Sequence, residues 1–100
     1  MVKRKIIWLP DANLDLLSIL EYFQKRNGSK TYSRKFYLKI RKSVRLLIKH
    51  PFLGLQTDDE NIRSLIEGDY AIFYKLANGT IHILSIWDCR QDIDNLTINK

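Results

Sequence analysis

The sequence ILSIWDCRQ at residues 83–91 ends a strand-like apolar run with a cluster of functional side chains. The Arg90 guanidinium could contact a phosphate or another anionic partner, and Asp88 and Gln91 could hold it in one orientation. Alternatively, Arg90 is a solvated residue that bonds loop carbonyls or Asp88. A carboxylate repels a phosphodiester, so Asp88 disfavours a phosphate-cleaving centre at this position. The strand end is therefore a candidate binding edge.

Other groups that could do chemistry are few. The chain has two histidines, His50 and His82, and one cysteine, Cys89. Their spacing matches no metal-ligand pattern, so we expect neither a metal site nor a cofactor. Imidazole exchanges protons near neutral pH, which makes His82 a candidate general base, whereas His50 precedes a proline and is expected at a helix end. Cys89 has no recognisable base nearby and is expected to be a strand-end residue, not a nucleophile.

The charge is strongly basic, with a formal net charge of +6 on 100 residues. Ten of the 17 Lys and Arg residues fall within residues 25–49, and no acid occurs between Glu21 and Asp58. A charge run is often only a solvated helix face, but ten uncompensated cations repel one another. An acidic protein, DNA or RNA would relieve that repulsion, so an anionic partner is expected. These cations are Lys25, Arg26, Lys30, Arg34, Lys35, Lys39, Arg41, Lys42, Arg45 and Lys49.

Length and cysteine content predict the organisation and compartment. A chain of 100 residues is expected to form a single domain over 1–100. One cysteine rules out an intramolecular disulfide, which fits the reducing cytosol. The apolar run at 6–9 is too short for a signal peptide, and no stretch approaches the roughly 20 apolar residues of a membrane span. We therefore expect a cytoplasmic protein with no membrane partner.

Two amphipathic helices are predicted in the first half of the chain. A short strand at 3–8 leads to Pro10, which suits the first turn of a helix, and Asn27-Gly28 ends that helix. Ser29 is expected to cap a second helix over 29–49, which ends before Pro51. The short connection predicts an antiparallel hairpin. The expected buried stripes are Ala12, Leu16, Ile19, Leu20 and Phe23 in the first helix and Tyr32, Phe36, Ile40, Val44 and Leu47 in the second.

Three strands are predicted in the second half, at 62–67, 70–76 and 80–88. Asn78-Gly79 predicts a two-residue hairpin turn, from which 77 would face 80, 75 would face 82, 73 would face 84, 71 would face 86 and 70 would face 87. This register places Phe73, Leu84 and Ile86 on the face that the helices do not cover. Such a face either binds a partner, curls on itself, or is covered by residues 92–100.

Local patterns in both halves follow one another in a definite order. They are Ala12, Asp15, Leu16, Ile19 and Tyr22 in the first helix, then YSRKF at 32–36, HPFLG at 50–54, IRSL at 62–65, YAIFYK at 70–75 and ILSIWDCRQ at 83–91. Together, from Trp8 to about Leu96, they resemble the RelE/ParE superfamily of toxins. The resemblance implies an α+β fold in which an N-terminal strand and an antiparallel helical hairpin pack on a small antiparallel β-sheet.

The resemblance also implies a function: a bacterial toxin of a type II toxin–antitoxin module, neutralised by an acidic antitoxin. RelE-like members cut mRNA on the ribosome without a metal, and ParE-like members inhibit DNA gyrase by binding. The family places an arginine directly after the tyrosine of the middle strand, where this sequence has Ala71. The preceding strand has Arg63 and Ser64 in place of paired lysines, and no tyrosine follows Arg90. These departures favour the ParE-like function.

The candidate residues differ between these functions. For gyrase binding, the expected target-binding residues are Arg90, Gln91, Asp88, Arg63 and Tyr70. For ribosome-dependent mRNA cleavage, the candidate catalytic residues are Arg63, Arg90, His82 and Lys75, and a third possibility is a nontoxic interaction module of the same fold. The expected antitoxin-binding residues are Phe73, Leu84, Ile86, Lys39, Lys42 and Arg45.

Overall fold

The computed structural model describes residues 4–89, which form one mixed sheet and a helical hairpin. The elements are β1 (Lys5–Trp8), α1 (Pro10–Asn27), α2 (Thr31–Lys49), β2 (Leu55–Gln56), β3 (Ile62–Glu67), β4 (Tyr70–Ala77) and β5 (Thr80–Asp88). The strand order is β1-β5-β4-β3-β2, with β1 parallel to β5 and the other pairs antiparallel. The predicted α+β fold is confirmed, although β1 makes the sheet mixed. Neither helix of this part is long and apolar enough to cross a membrane.

α1 is the helix that the sequence predicts. Pro10 occupies its first turn after extended Leu9, and Gly28 ends it with φ of 65°, a left-handed conformation that glycine adopts without strain. The Gly28 N–H donates to the Gln24 carbonyl and closes the last turn. The predicted stripe faces the sheet, with Ala12, Leu16 and Phe23 buried and Ile19 and Leu20 packed against them.

α2 differs from the prediction at its start. The helix begins at Thr31, not at residue 29, and Lys30 is its N-cap without a side-chain cap, so the capping role predicted for Ser29 is wrong. Ser33 instead donates its hydroxyl to the Lys30 carbonyl. The predicted stripe is buried from Phe36 onward, but Tyr32 is exposed, and its ring contacts Phe23 edge-on at 4.6 Å between centroids. The remaining buried members are Ile40, Val44 and Leu47.

The β4–β5 hairpin begins as predicted and then slips by one residue. Asn78 and Gly79 have φ of 53° and 75°, as a type I′ turn requires. The pairs 77/80 and 75/82 are confirmed, but Phe73 lies opposite Ser85 because Leu84 is an extra residue in β5. Such a β-bulge reverses which side chains face the core beyond it. The predicted pairs 73/84, 71/86 and 70/87 are therefore wrong, and residues 71 and 70 face 87 and 88.

Asp15 of α1 stabilises β5 just beyond the bulge. β1 ends at Trp8, and the N–H of the next residue, Leu9, donates a hydrogen bond to the Ile83 carbonyl of β5. The backbone N–H of Ile86 then donates to the Asp15 carboxylate at 3.0 Å. The Asp15 side chain thus accepts a backbone hydrogen bond of the kind that a neighbouring strand would accept. This contact gives Asp15, one residue of the family pattern in α1, a structural role.

Candidate functional site

The C-terminal end of β5 lies beside the β3–β4 turn. Asp88 is opposite Tyr70, and the Cys89 N–H donates to the Asp69 carbonyl at 2.7 Å. Cys89 is exposed, but its partial burial, together with the negative charges of Asp88 and Asp69, raises the pKa of its thiol. Arg90 and Gln91, the predicted centre of this edge, lie outside the described residues.

Tyr70, a predicted target-binding residue, is a core residue. Its side chain is only 5% exposed, and its ring lies 4.9 Å from Phe36 and 6.3 Å from Phe23, measured between ring centroids. Trp87 is opposite Ala71, and not opposite Tyr70 as the predicted register required. The Tyr70 ring packs the junction of the helices and the sheet and is not available to a target.

Arg63 is engaged by the loop that follows α2. Its Nη1 donates to the Gly54 carbonyl at 2.8 Å, and its guanidinium carbon lies 5.0 Å from the centroid of the Phe52 ring. Arg63 is opposite Tyr74, so it shares the sheet face that packs against the helices, here called the inner face. This guanidinium positions a loop.

The same loop is fastened by Tyr74, which is fully buried. Its hydroxyl donates to the Pro51 carbonyl and accepts the Gly54 N–H, each at 2.9 Å. A Cβ on Gly54 would approach the Tyr74 ring to 2.8 Å, so only glycine fits there. Burial raises the pKa of Tyr74, while the Gly54 hydrogen bond and the Arg63 charge oppose that rise. The sequence analysis did not predict this contact, although both loop residues that make it, Pro51 and Gly54, belong to the HPFLG pattern at 50–54.

Lys75 and His82 lie opposite each other on the outer face of the sheet, as predicted. They alternate with Tyr74 and Ile83, which are fully buried on the inner face. Arg63 and the Lys75–His82 pair therefore lie on opposite faces of the sheet. The structure therefore brings Lys75 and His82 together but does not bring Arg63 to the same site.

The predicted antitoxin-binding residues divide between surfaces. Phe73 and Leu84 are half-buried, whereas Ile86 is 5% exposed and belongs to the core, so its predicted place on the open face is wrong. The bulge at Leu84 is the reason, because it turns Ile86 toward the helices. The three remaining candidates, Lys39, Lys42 and Arg45, are exposed on α2.

A groove runs between α1 and α2 and is here called the helical groove. Leu17 is exposed there, and the Arg41 guanidinium carbon lies 5.7 Å from the centroid of the Tyr37 ring. The cations among its described lining residues are Lys30, Arg34 and Arg41, not Lys39, Lys42 or Arg45. The helical groove consists of two adjoining cavities that share Leu20 and Tyr37. Besides the three cations, its other lining residues are Trp8, Asn13, Leu16, Leu17, Gln24 and Ser33.

Side chains that could bind a metal are not clustered in the described part of the chain. Within residues 4–89, no group of three or more His, Cys, Asp or Glu side chains is placed to hold an ion.

Comparisons with known proteins agree with the architecture. A family model described as the ParE toxin of type II toxin–antitoxin systems matches residues 6–93. The fold is similar to a structure of the chromosomal ParDE system from P. aeruginosa, with a TM-score of 0.73 and 20% identity over 84% of this chain and 94% of that one. Curated protein sequences gave no significant match.

Two further structures share the fold. The RelBE2 toxin–antitoxin complex from Mycobacterium tuberculosis has a TM-score of 0.61 and 18% identity, covering 85% of this chain and 96% of that chain. The E. coli DinJ-YafQ toxin–antitoxin complex has a TM-score of 0.55 and 16% identity, covering 87% and 93%. At these identities the similarity concerns the fold.

Proposed function

We infer the function of this chain from one premise: it belongs to the family of ParE toxins of type II toxin–antitoxin systems. It is the toxin component of such a module. We propose that it acts in the cytoplasm by binding and inhibiting DNA gyrase, and that an acidic antitoxin neutralises it. The observation that carries binding over catalysis is the placement of Arg63, Lys75 and His82.

Metal-independent RNA cleavage needs a cation and a proton-transfer group at one phosphate. Arg63 donates to the Gly54 carbonyl on the inner face, whereas Lys75 and His82 lie together on the outer face. A phosphate that contacts one face is out of reach of the other. Within residues 4–89, the adjacency of Lys75 and His82 favours the alternative, an mRNA endonuclease.

The helical groove supports an acidic antitoxin as partner. Two of the similar structures are complexes of a toxin with its antitoxin. An amphipathic helix could place its apolar residues against Leu17, Leu20 and Tyr37 and its acids beside Arg34 and Arg41. Phe73 and Leu84 on the outer face, and Lys39, Lys42 and Arg45 on α2, remain predicted additional contacts. An acidic segment of this kind would fold on binding.

A supercoiling assay tests the function. Purified toxin added to DNA gyrase and relaxed plasmid is expected to abolish supercoiling, and prior addition of the antitoxin from the neighbouring reading frame restores it. Arg90→Ala is expected to lower the inhibition at least about tenfold, since a lost charged hot-spot contact costs 2 kcal/mol or more. Circular dichroism would show that this variant stays folded. Ribosome-dependent cuts in mRNA with normal supercoiling would instead establish the endonuclease.

A further inference from the structure

The free edge of the sheet carries an exposed apolar cluster, here called the edge cluster. It consists of Phe52, Leu53, Leu55 and Ile66, which are 65%, 48%, 67% and 50% exposed. Single exposed apolar side chains are ordinary on a protein surface, but four along one edge of a sheet are characteristic of a contact site. The edge cluster lies on β2, β3 and the loop before β2, away from the α1–α2 groove.

Strand pairing shows how the edge cluster is assembled. Leu55 is opposite Ser64, and Ile66 lies two residues farther along β3, so Leu55 and Ile66 are diagonal neighbours on the outer face. Phe52 lies on the inner side, where the Arg63 guanidinium stacks on its ring. Apolar groups therefore flank the strand edge on both faces.

The backbone of this edge is also open to a further strand. β2 pairs only with Arg63 and Ser64, and within residues 4–89 the sheet ends at β2. Residues 65–67 of β3 thus extend beyond their neighbour. Proteins usually protect such edges with charges, prolines or bulges, and here Glu67 supplies one charge beside the exposed Ile66. An extended segment could add here through backbone hydrogen bonds.

Local charge selects the partner. Residues 51–74 contain five acids and one cation, a net charge of −4, in a chain whose net charge is +6. That cation, Arg63, is held by the Gly54 carbonyl and the Phe52 ring. An acidic antitoxin segment is repelled by this region, whereas a cationic segment is attracted. The five acids are Asp58, Asp59, Glu60, Glu67 and Asp69.

We propose that the edge cluster is a second target-contacting surface of this toxin, in addition to Arg90, and receives an extended, apolar and cationic segment of DNA gyrase. This inference rests on the proposed function and adds the site and the chemistry of the target segment. The main contacts of the two partners then lie on separate surfaces of opposite charge: the antitoxin helix occupies the helical groove, and this target segment occupies the sheet edge.

The double variant Leu55→Ser/Ile66→Ser tests this surface. We expect its inhibition of gyrase supercoiling to weaken at least about tenfold, because the apolar contact is lost, while its antitoxin affinity stays within about twofold. Leu14→Ser is the matched control: Leu14 is 62% exposed on α1 and lines neither surface, so both measurements should equal the wild type. Thermal unfolding followed by circular dichroism verifies that each variant is folded.

A second variant tests charge without altering the apolar contact. Asp58→Lys/Glu60→Lys is expected to weaken gyrase inhibition about tenfold at low salt, with the difference from wild type shrinking as salt rises. Unchanged inhibition by both variants would overturn the edge cluster as target site, and a parallel loss of antitoxin affinity would assign it to the antitoxin. If the wild-type chain leaves gyrase active, the proposed function fails and this inference fails with it.

Discussion

At the scale of single residues, Tyr74 connects the sheet to a loop that precedes it by about 20 positions. Its hydroxyl satisfies one acceptor, the Pro51 carbonyl, and one donor, the Gly54 N–H, while its ring leaves no space for a Cβ at position 54. Phe52 and Leu53 lie between these two anchors. The exposed residues of the edge cluster are thereby held on a fixed backbone.

Replacing this tyrosine isolates the two hydrogen bonds. Tyr74→Phe keeps the buried ring but leaves the Pro51 carbonyl and the Gly54 N–H without their partner, so the free energy of unfolding should fall by about 1–3 kcal/mol. Urea denaturation measures the change. Tyr32→Phe, at an exposed position, is the control and should change stability by less than about 0.5 kcal/mol. Equal stabilities of the two variants would contradict the role of the hydroxyl.

Cys89 gives a second prediction, because its thiol reports on the strand end. Burial and the charges of Asp88 and Asp69 raise its pKa above the ordinary 9.0. The thiolate fraction at a given pH is therefore lower in the folded chain, and alkylation by iodoacetamide should be slower than in the unfolded chain and rise at higher pH. Asp88→Asn removes one charge and should move the profile to lower pH. A profile that does not move would show that this carboxylate has no effect on the thiol.

At the scale of elements, the bulge in β5 is followed by a hydrogen bond to α1. The extra residue, Leu84, turns Ile86 into the core and directs its N–H to Asp15. Asp15→Leu removes the acceptor and should lower the free energy of unfolding by about 1–3 kcal/mol, whereas Asp15→Asn retains a carbonyl oxygen and should cost less. Chemical denaturation measures stability, and hydrogen exchange of the Ile86 amide should accelerate only in the leucine variant. An unchanged exchange rate would mean that the amide is protected by something else.

The long sequence separation of this hydrogen bond explains which elements can be predicted from sequence. α1 and α2 follow from apolar periodicity and from breakers such as Pro10, Gly28 and Pro51, all of which act locally. The β5 register beyond Ile83 does not, because Asp15 is 71 positions from Ile86 and no local pattern marks Leu84 as the extra residue. β2 was missed because a strand of two residues has no detectable alternation.

The candidate surfaces follow the same rule. The cationic character of α2 was evident from the sequence, because it needs only a count of charges within one helix. The engagement of Arg63 was not, since its partners Phe52 and Gly54 are brought to it by the Tyr74 contact. The sequence of a strand does not show whether the guanidinium of its arginine is free to bind phosphate or is hydrogen-bonded to loop carbonyls.

At the scale of the whole molecule, charge is segregated. Residues 22–57 contain ten cations and no acid, whereas residues 51–74 have a net charge of −4. Opposite partners can therefore be attracted to different sides of a molecule of only 100 residues.

The rate of antitoxin association tests this arrangement. Raising NaCl from about 50 to about 500 mM should lower the association rate constant about tenfold or more and change the dissociation rate less, because screening acts mainly on long-range steering. Lys42→Glu reverses a charge within the cationic helix and should lower the rate at low salt, whereas Lys5→Glu makes the same charge change on β1, outside that helix, and should have a smaller effect. Stopped-flow fluorescence measures both rates. If the two variants slow association equally, net charge accounts for the steering and the concentration of cations on α2 does not.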